Sequence, residues 1–103
     1  MNELKGRRIH TDGTTYWDGT NIFPFDQIRL GDYWVGPTKD EVHGKTPCGL
    51  FCNLSGHDIV WHPNGNLTAH PSIFVKGTID SDPKEISWHG FLVDGIWKEC
   101  EDV

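Results

Sequence analysis

Residues 87–100, SWHGFLVDGIWKEC, decide how this chain is read. Asp94-Gly95 stands between two runs of aromatic and β-branched residues. In that setting Asp-Gly signals a two-residue hairpin loop, because both central residues must reach positive φ. Such a loop fixes the register. Val93 faces Ile96, Leu92 faces Trp97, Phe91 faces Lys98, Gly90 faces Glu99 and His89 faces Cys100. One face of the hairpin then carries His89, Phe91, Val93, Ile96 and Cys100, the other Trp88, Leu92 and Trp97, so both sides are expected to be partly buried.

Working outward, the same grammar of short apolar runs and turn residues fills the chain. Residues 72–79, SIFVKGTI, read as a strand that Pro71 separates from the one before it. Residues 57–61 and 66–70 flank Pro63-Asn64-Gly65, which suits a hairpin with a three-residue loop and Gly65 left-handed, a two-residue Asn-Gly loop being the alternative. Residues 49–54 and 32–36 are further strands. Between these two lies TKDEVHGKTP, residues 38–47, polar with Pro at both margins, which is expected to be an exposed loop. Two Asp-Gly-Thr triplets, at 12–14 and 18–20, mark turns of an N-terminal ribbon. PFDQIRL, residues 24–30, is the one place for a short helical turn, since Pro is tolerated at a first helical position and Gly31 can end it. Residues 1–6 are polar and expected to fray.

No apolar period of 3.6 residues is sustained over 11 or more positions. The fold class is therefore all-β, a small antiparallel meander closing as a barrel or a sandwich, in one domain spanning residues 1–103. With 103 residues the chain can build one core without staples. Only 36% of it is hydrophobic, but 5 Trp, 5 Phe and 2 Tyr are included, and each aromatic buries roughly 150–250 Å².

A net charge of −6, with 15 acids diluted by 9 bases, argues against direct nucleic-acid binding, which needs clustered Lys and Arg, and against mimicry of DNA. No apolar run is long enough to span a membrane, and no basic start leads into an apolar h-region. The expected compartment is the cytoplasm, with no membrane partner. Three cysteines, Cys48, Cys52 and Cys100, fit a reducing compartment in which they are free thiols or metal ligands.

Four constellations could carry chemistry. Cys48, Cys52, His57 and His62 approach a zinc-knuckle pattern, thiolate and imidazole being the preferred zinc donors. The hairpin reading opposes it, because a strand over 58–61 sets His57 and His62 roughly 16 Å apart. The hairpin register instead brings His89 against Cys100, with Cβ atoms about 4.5–5.5 Å apart. With Cys52 and His57 they form a candidate zinc set, the plainer alternative being a half-buried Cys beside a hydrogen-bonded His. The same pair could serve as base and nucleophile, although Cys100 stands near the chain end and none of the familiar hydrolase or nucleotide motifs is present. Last come the aromatics Trp17, Tyr33, Trp34, Trp61, Trp88 and Trp97. Most should fill the core of a small β domain, and one or two left exposed would anchor an interface.

The segments Asn53-Leu54-Ser55-Gly56-His57, Gly65-x-Leu67-Thr68, Pro71-Ser72-Ile73, Trp88-His89-Gly90-Phe91-Leu92 and Gly95-Ile96-Trp97 resemble, in this order, a group of small uncharacterised proteins of tailed bacteriophages and prophages. The resemblance spans residues 32–100. It implies a phage-type accessory protein that acts in the host cytoplasm by binding a host protein; that it is not an enzyme and needs no cofactor is the expectation from the absence of catalytic motifs. An inhibitor of bacterial defence, of anti-CRISPR or other anti-immunity type, is the expected role. Trp34, Trp61, Trp88 and Trp97, together with the 38–47 loop, are the expected contact surface. The alternatives are a zinc-stabilised β domain with a structural or regulatory role and a small hydrolase-like enzyme using the Cys/His pair.

Overall fold

The computed structural model describes residues 3–37, 41–79 and 83–100. In chain order the strands are β1 Glu3–Lys5, β2 Arg7–Arg8, β3 His10–Thr11, β4 Tyr16–Trp17, β5 Ile22–Phe23, β6 Asp32–Val35, β7 Val42–Lys45, β8 Phe51–Asn53, β9 Asp58–Trp61, β10 Leu67–Gly77, β11 Ile86–Val93 and β12 Ile96–Glu99. One 3-10 turn, Phe25–Gln27, follows Pro24. The all-β expectation and its single helical turn both hold. No helix among the described residues is long and apolar enough to cross a membrane.

The strands form a five-stranded sheet in the order β1-β12-β11-β10-β9, a four-stranded sheet β2-β6-β7-β8 and a three-stranded ribbon β3-β4-β5. The first two sheets enclose one core between them, a sandwich whose barrel is not closed. Among the described residues all pairings are antiparallel except β2 with β6. That exception arises where the chain turns from β1 in one sheet to β2 in the other at Gly6, a corner that admits no side chain. A Cβ there would stand 2.6 Å from the Gly31 carbonyl oxygen and 2.8 Å from that of Gly95.

The β11–β12 hairpin has the register that its Asp-Gly turn dictates, from Val93 opposite Ile96 to Gly90 opposite Glu99. Asp94 and Gly95 take φ of 48° and 77°, and the Cys100 amide donates to the His89 carbonyl at 2.8 Å. Both faces are partly buried as expected, but unequally, with His89, Ile96 and Cys100 half-buried on the outer one. Trp88, Gly90, Leu92 and Trp97 point into the core, whereas Phe91 and Val93, with Phe74 on β10 and Val60 on β9, are exposed on the outer face. The 58–70 hairpin has the three-residue loop: Trp61 pairs with Leu67, the His62 amide donates to the Asn66 carbonyl, and Gly65 has a φ of 87°.

Three boundaries differ from expectation. Residues 3–5 are not frayed but pair with Lys98, Trp97 and Ile96 of β12; residues 1 and 2 lie outside the described residues. Much of the 38–47 loop is strand β7, flanked by β6 and β8, with Val42, Gly44 and Thr46 buried; residues 38–40 lie outside the described residues. Its inward positions look polar because Gly44 lies under the Trp97 ring, where a Cβ would come within 2.9 Å of Cη2. Strand β10 does not stop at Pro71. It continues through a cis His70–Pro71 bond to Gly77, with a shift of register against β11 between Ala69 and Ile73, an irregularity at which a proline is accommodated in a sheet.

The principal core gathers Tyr33, Val42, Leu54, Leu67, Ala69, Ile73, Trp88, Leu92 and Trp97. Trp88 and Trp97 meet edge to face at 5.6 Å, and Trp97 Nε1 donates to the Gly31 carbonyl at 2.8 Å, so the buried indole leaves no donor unpaired. A second cluster, Ile9, Phe23, Ile28 and Trp34 with Tyr16 against it, lies under the ribbon. Arg7 ties the parts together. Its Nε and Nη2 donate to the buried Asp32 at 3.0 and 2.8 Å, and its Nη1 donates to Asp18, in the turn between β4 and β5, at 3.0 Å. The Asp32 carboxylate also accepts from the Arg29 amide, which is the satisfaction a buried charge requires.

Candidate functional site

The second cluster is not sealed. Over Trp34 opens a concavity of about 380 Å³, lined by Tyr16, Phe25, Trp34, Pro37, His43 and Phe51 with Thr11 and Gly13 at its rim. The local sequence explains each contribution. Period-2 alternation on β8 turns Cys52 toward the principal core and Phe51 outward. Pro24 starts the 3-10 turn that lifts Phe25 out of the ribbon. On β6 and β7, Trp34 sits opposite His43.

The rings form one contiguous surface. Phe25 and Phe51 stack at 5.0 Å with an interplanar angle of 22°. Phe51 and Tyr16 both meet Trp34 edge-on, at 6.2 and 5.7 Å, and His43 stacks on Trp34 at 5.9 Å. Phe25 and Phe51 remain 52% and 44% exposed. Aromatic area left in water over an otherwise filled core is the surface a partner gains most by covering.

The rim carries both signs of charge. Lys45 Nζ lies 5.3 Å from the centre of the Phe51 ring and donates to the Ile28 carbonyl. Glu41 faces His43 Nε2 at 3.6 Å. Asp12, at the tip of the β3–β4 turn between Thr11 and Gly13, accepts from the amides of Thr15 and Thr14; these bonds lower its pKa to about 2. Its carboxylate therefore stays charged through the physiological range. The basin holds flat apolar groups between polar margins.

The tryptophans expected to anchor a partner are placed otherwise. Trp34, Trp88 and Trp97 are buried, so they build the floor and the core rather than the contact surface. Trp61 is half-buried, with the Arg8 guanidinium 4.1 Å over its ring. Phe25 and Phe51 do not stand out in the sequence beside five Trp and two Tyr. The usable signal was parity: in a strand with Cys52 inside, Phe51 must lie outside.

The candidate zinc and Cys/His residues do not gather into one site. Among the described residues no three His, Cys, Asp or Glu side chains are grouped to hold a metal ion. His89 and Cys100 do lie opposite one another, but His89 Nε2 is 3.1 Å from Ser72 Oγ and its ring packs edge-on against Phe74. His57 Nε2 is 3.3 Å from the Ser72 carbonyl, and its Nδ1 is buried without a partner. Burial pushes the Cys52 thiol up to about 12, which leaves it a poor nucleophile. His57 and His62 are separated by β9, and His62 Nε2 is 2.6 Å from Thr68 Oγ1. Comparison with protein families, with curated proteins and with solved structures finds no match for this chain.

Proposed function

We propose that this protein is a non-enzymatic binding module that takes hold of a partner protein through the aromatic basin. The observation that carries the reading is the stacked, water-exposed Phe25–Phe51 pair over the buried Trp34. Rigid aromatic anchors around a concavity of side-chain size are what interface hot spots consist of. The resemblance of residues 32–100 to small phage proteins supplies the partner class, a host protein, and the role, inhibition of a component of bacterial defence.

The test uses the intact protein as bait in bacterial lysate, beside Phe25→Ser and, as a control on the outer face of the large sheet, Phe91→Ser. The reading expects a partner that binds the native protein and the Phe91→Ser variant and is lost with Phe25→Ser. Capture that ignores Phe25, or no partner together with inertness in phage-defence assays, refutes it.

A further inference from the structure

Among the described residues the sandwich is open along a seam whose two margins are made of backbone. Strand β8 ends the four-stranded sheet and pairs only with β7. Strand β10 pairs with β9 over Leu67 to His70 alone, so from Ile73 to Gly77 it has β11 on one edge and, among the described residues, no strand on the other. The two free edges face one opening. Phe51, Cys52, Asn53, Ile73, Phe74 and Val75 line a cleft of about 360 Å³, and His57 lies in its wall.

The alternation of ladder bonds says which groups are unmet. The Leu54 amide donates to the Val42 carbonyl and the Thr46 amide to the Leu50 carbonyl, which makes 42/54, 44/52 and 46/50 the bonded pairs. The N–H and C=O of Phe51 and Asn53 therefore point away from β7, into the seam. A row of unpaired main-chain donors and acceptors is a template for another strand. Here two such rows bound the same cleft, and the buried Nδ1 of His57 adds a side-chain group without a partner.

We propose that the seam between β8 and the second half of β10 is a strand-addition site for an extended peptide segment of a partner protein. The occupant follows from the chemistry of the margins. Only an extended backbone offers donors and acceptors on both of its edges at strand spacing, and three of its residues, about 10 Å, match β8 in length. A second copy of this chain could offer only the single free edge of its own β8 or β10, whereas the seam presents two rows and calls for a strand with both edges free. The half-buried Cys52 and Val75 and the buried Ile73 on the inner side call for small or aliphatic residues at alternate positions of the peptide. This inference needs a peptide partner but neither Phe25 nor the basin floor; Phe51 borders both sites, so the two are tested at different residues.

The experiment selects binders of the intact protein from a library of random linear seven-residue peptides and maps them by amide hydrogen exchange. In the free protein the amides of Phe51 and Asn53 should exchange quickly, and a selected peptide should protect them. Backbone N-methylation at alternate positions of that peptide, with its side chains unchanged, should weaken binding about tenfold per lost bond. Asn53→Pro removes one outward donor without touching the β7 ladder and should weaken binding to a similar degree, whereas Phe91→Ser, on the outer face of the large sheet, should leave it unchanged. A folded Asn53→Pro variant is recognised by retained protection of β7. The proposal is overturned if the two amides are already slow in the free protein. It is overturned equally if the library yields no peptide that protects them, or if binding is indifferent to N-methylation.

Discussion

The principal core and the cluster beneath the ribbon use the same residue types to opposite ends. In the first, Trp88 and Trp97 are closed in between two sheets and the indole donor of Trp97 is satisfied. In the second, Trp34 is buried but roofed by Tyr16, Phe25 and Phe51, which water still reaches. The sheets account for the difference. The principal core lies between strands of up to 11 residues, whereas the ribbon strands have two residues each and cannot cover what lies below them. One core makes the fold; the other, left half-roofed, makes the surface.

Substitutions should separate the two. Trp97→Ala removes the largest buried side chain and its bond to Gly31, and should lower stability by about 3–5 kcal/mol. In a domain of ordinary marginal stability that abolishes, or nearly abolishes, a cooperative urea transition. Arg7→Met strands the buried Asp32 carboxylate. The expected loss is about 2–3 kcal/mol, below the roughly 3–5 of a fully buried pair, because the Arg7 side chain is 27% exposed; the urea midpoint measures it. Phe25→Ser should move that midpoint by less than about 1 kcal/mol while weakening the captured partner's affinity at least tenfold, as loss of an interface anchor does.

Two smaller effects probe each region in its native state. At pH 8 Cys52, with its thiol pushed up to about 12, should resist iodoacetamide until the principal core unfolds, as mass spectrometry of the labelled protein would show. On the ribbon, the Asp12 carboxyl titrates lower in the folded than in the unfolded chain, near 2 against the ordinary carboxylate value of about 3.9. Its stabilisation is complete above about pH 4 and disappears as pH falls through 2. Asp12→Asn should flatten that part of the acid limb and lower stability at pH 7 toward the level the native protein reaches once Asp12 is protonated.

What the sequence made legible was local. The Asp94-Gly95 turn and the alternation around it are set within fourteen residues, and the register they dictate is the register found. Strand β7 was not legible because its inward positions are Val42, Gly44 and Thr46, and Gly44 is required only by the ring of Trp97, more than fifty residues away. The course of β10 through Pro71 was hidden for a similar reason: a proline ends most strands, and only the neighbouring register shift lets this one continue. The basin was legible in kind but not in place. Its rings come from β4, the 3-10 turn, β6, β7 and β8, and in the three-residue β8 parity places Phe51 outside only once Cys52 is known to be inside.

Arg7 gives the molecule an order in which to come apart. Its guanidinium is the tie between Asp32 in the four-stranded sheet and Asp18 in the ribbon. Salt weakens the more exposed of these pairings first, and local opening begins where buried contacts are fewest. The ribbon, with Tyr16 and one wall of the basin, is thus the part expected to open first, and on the proposed reading its opening releases the partner while the sandwich still stands.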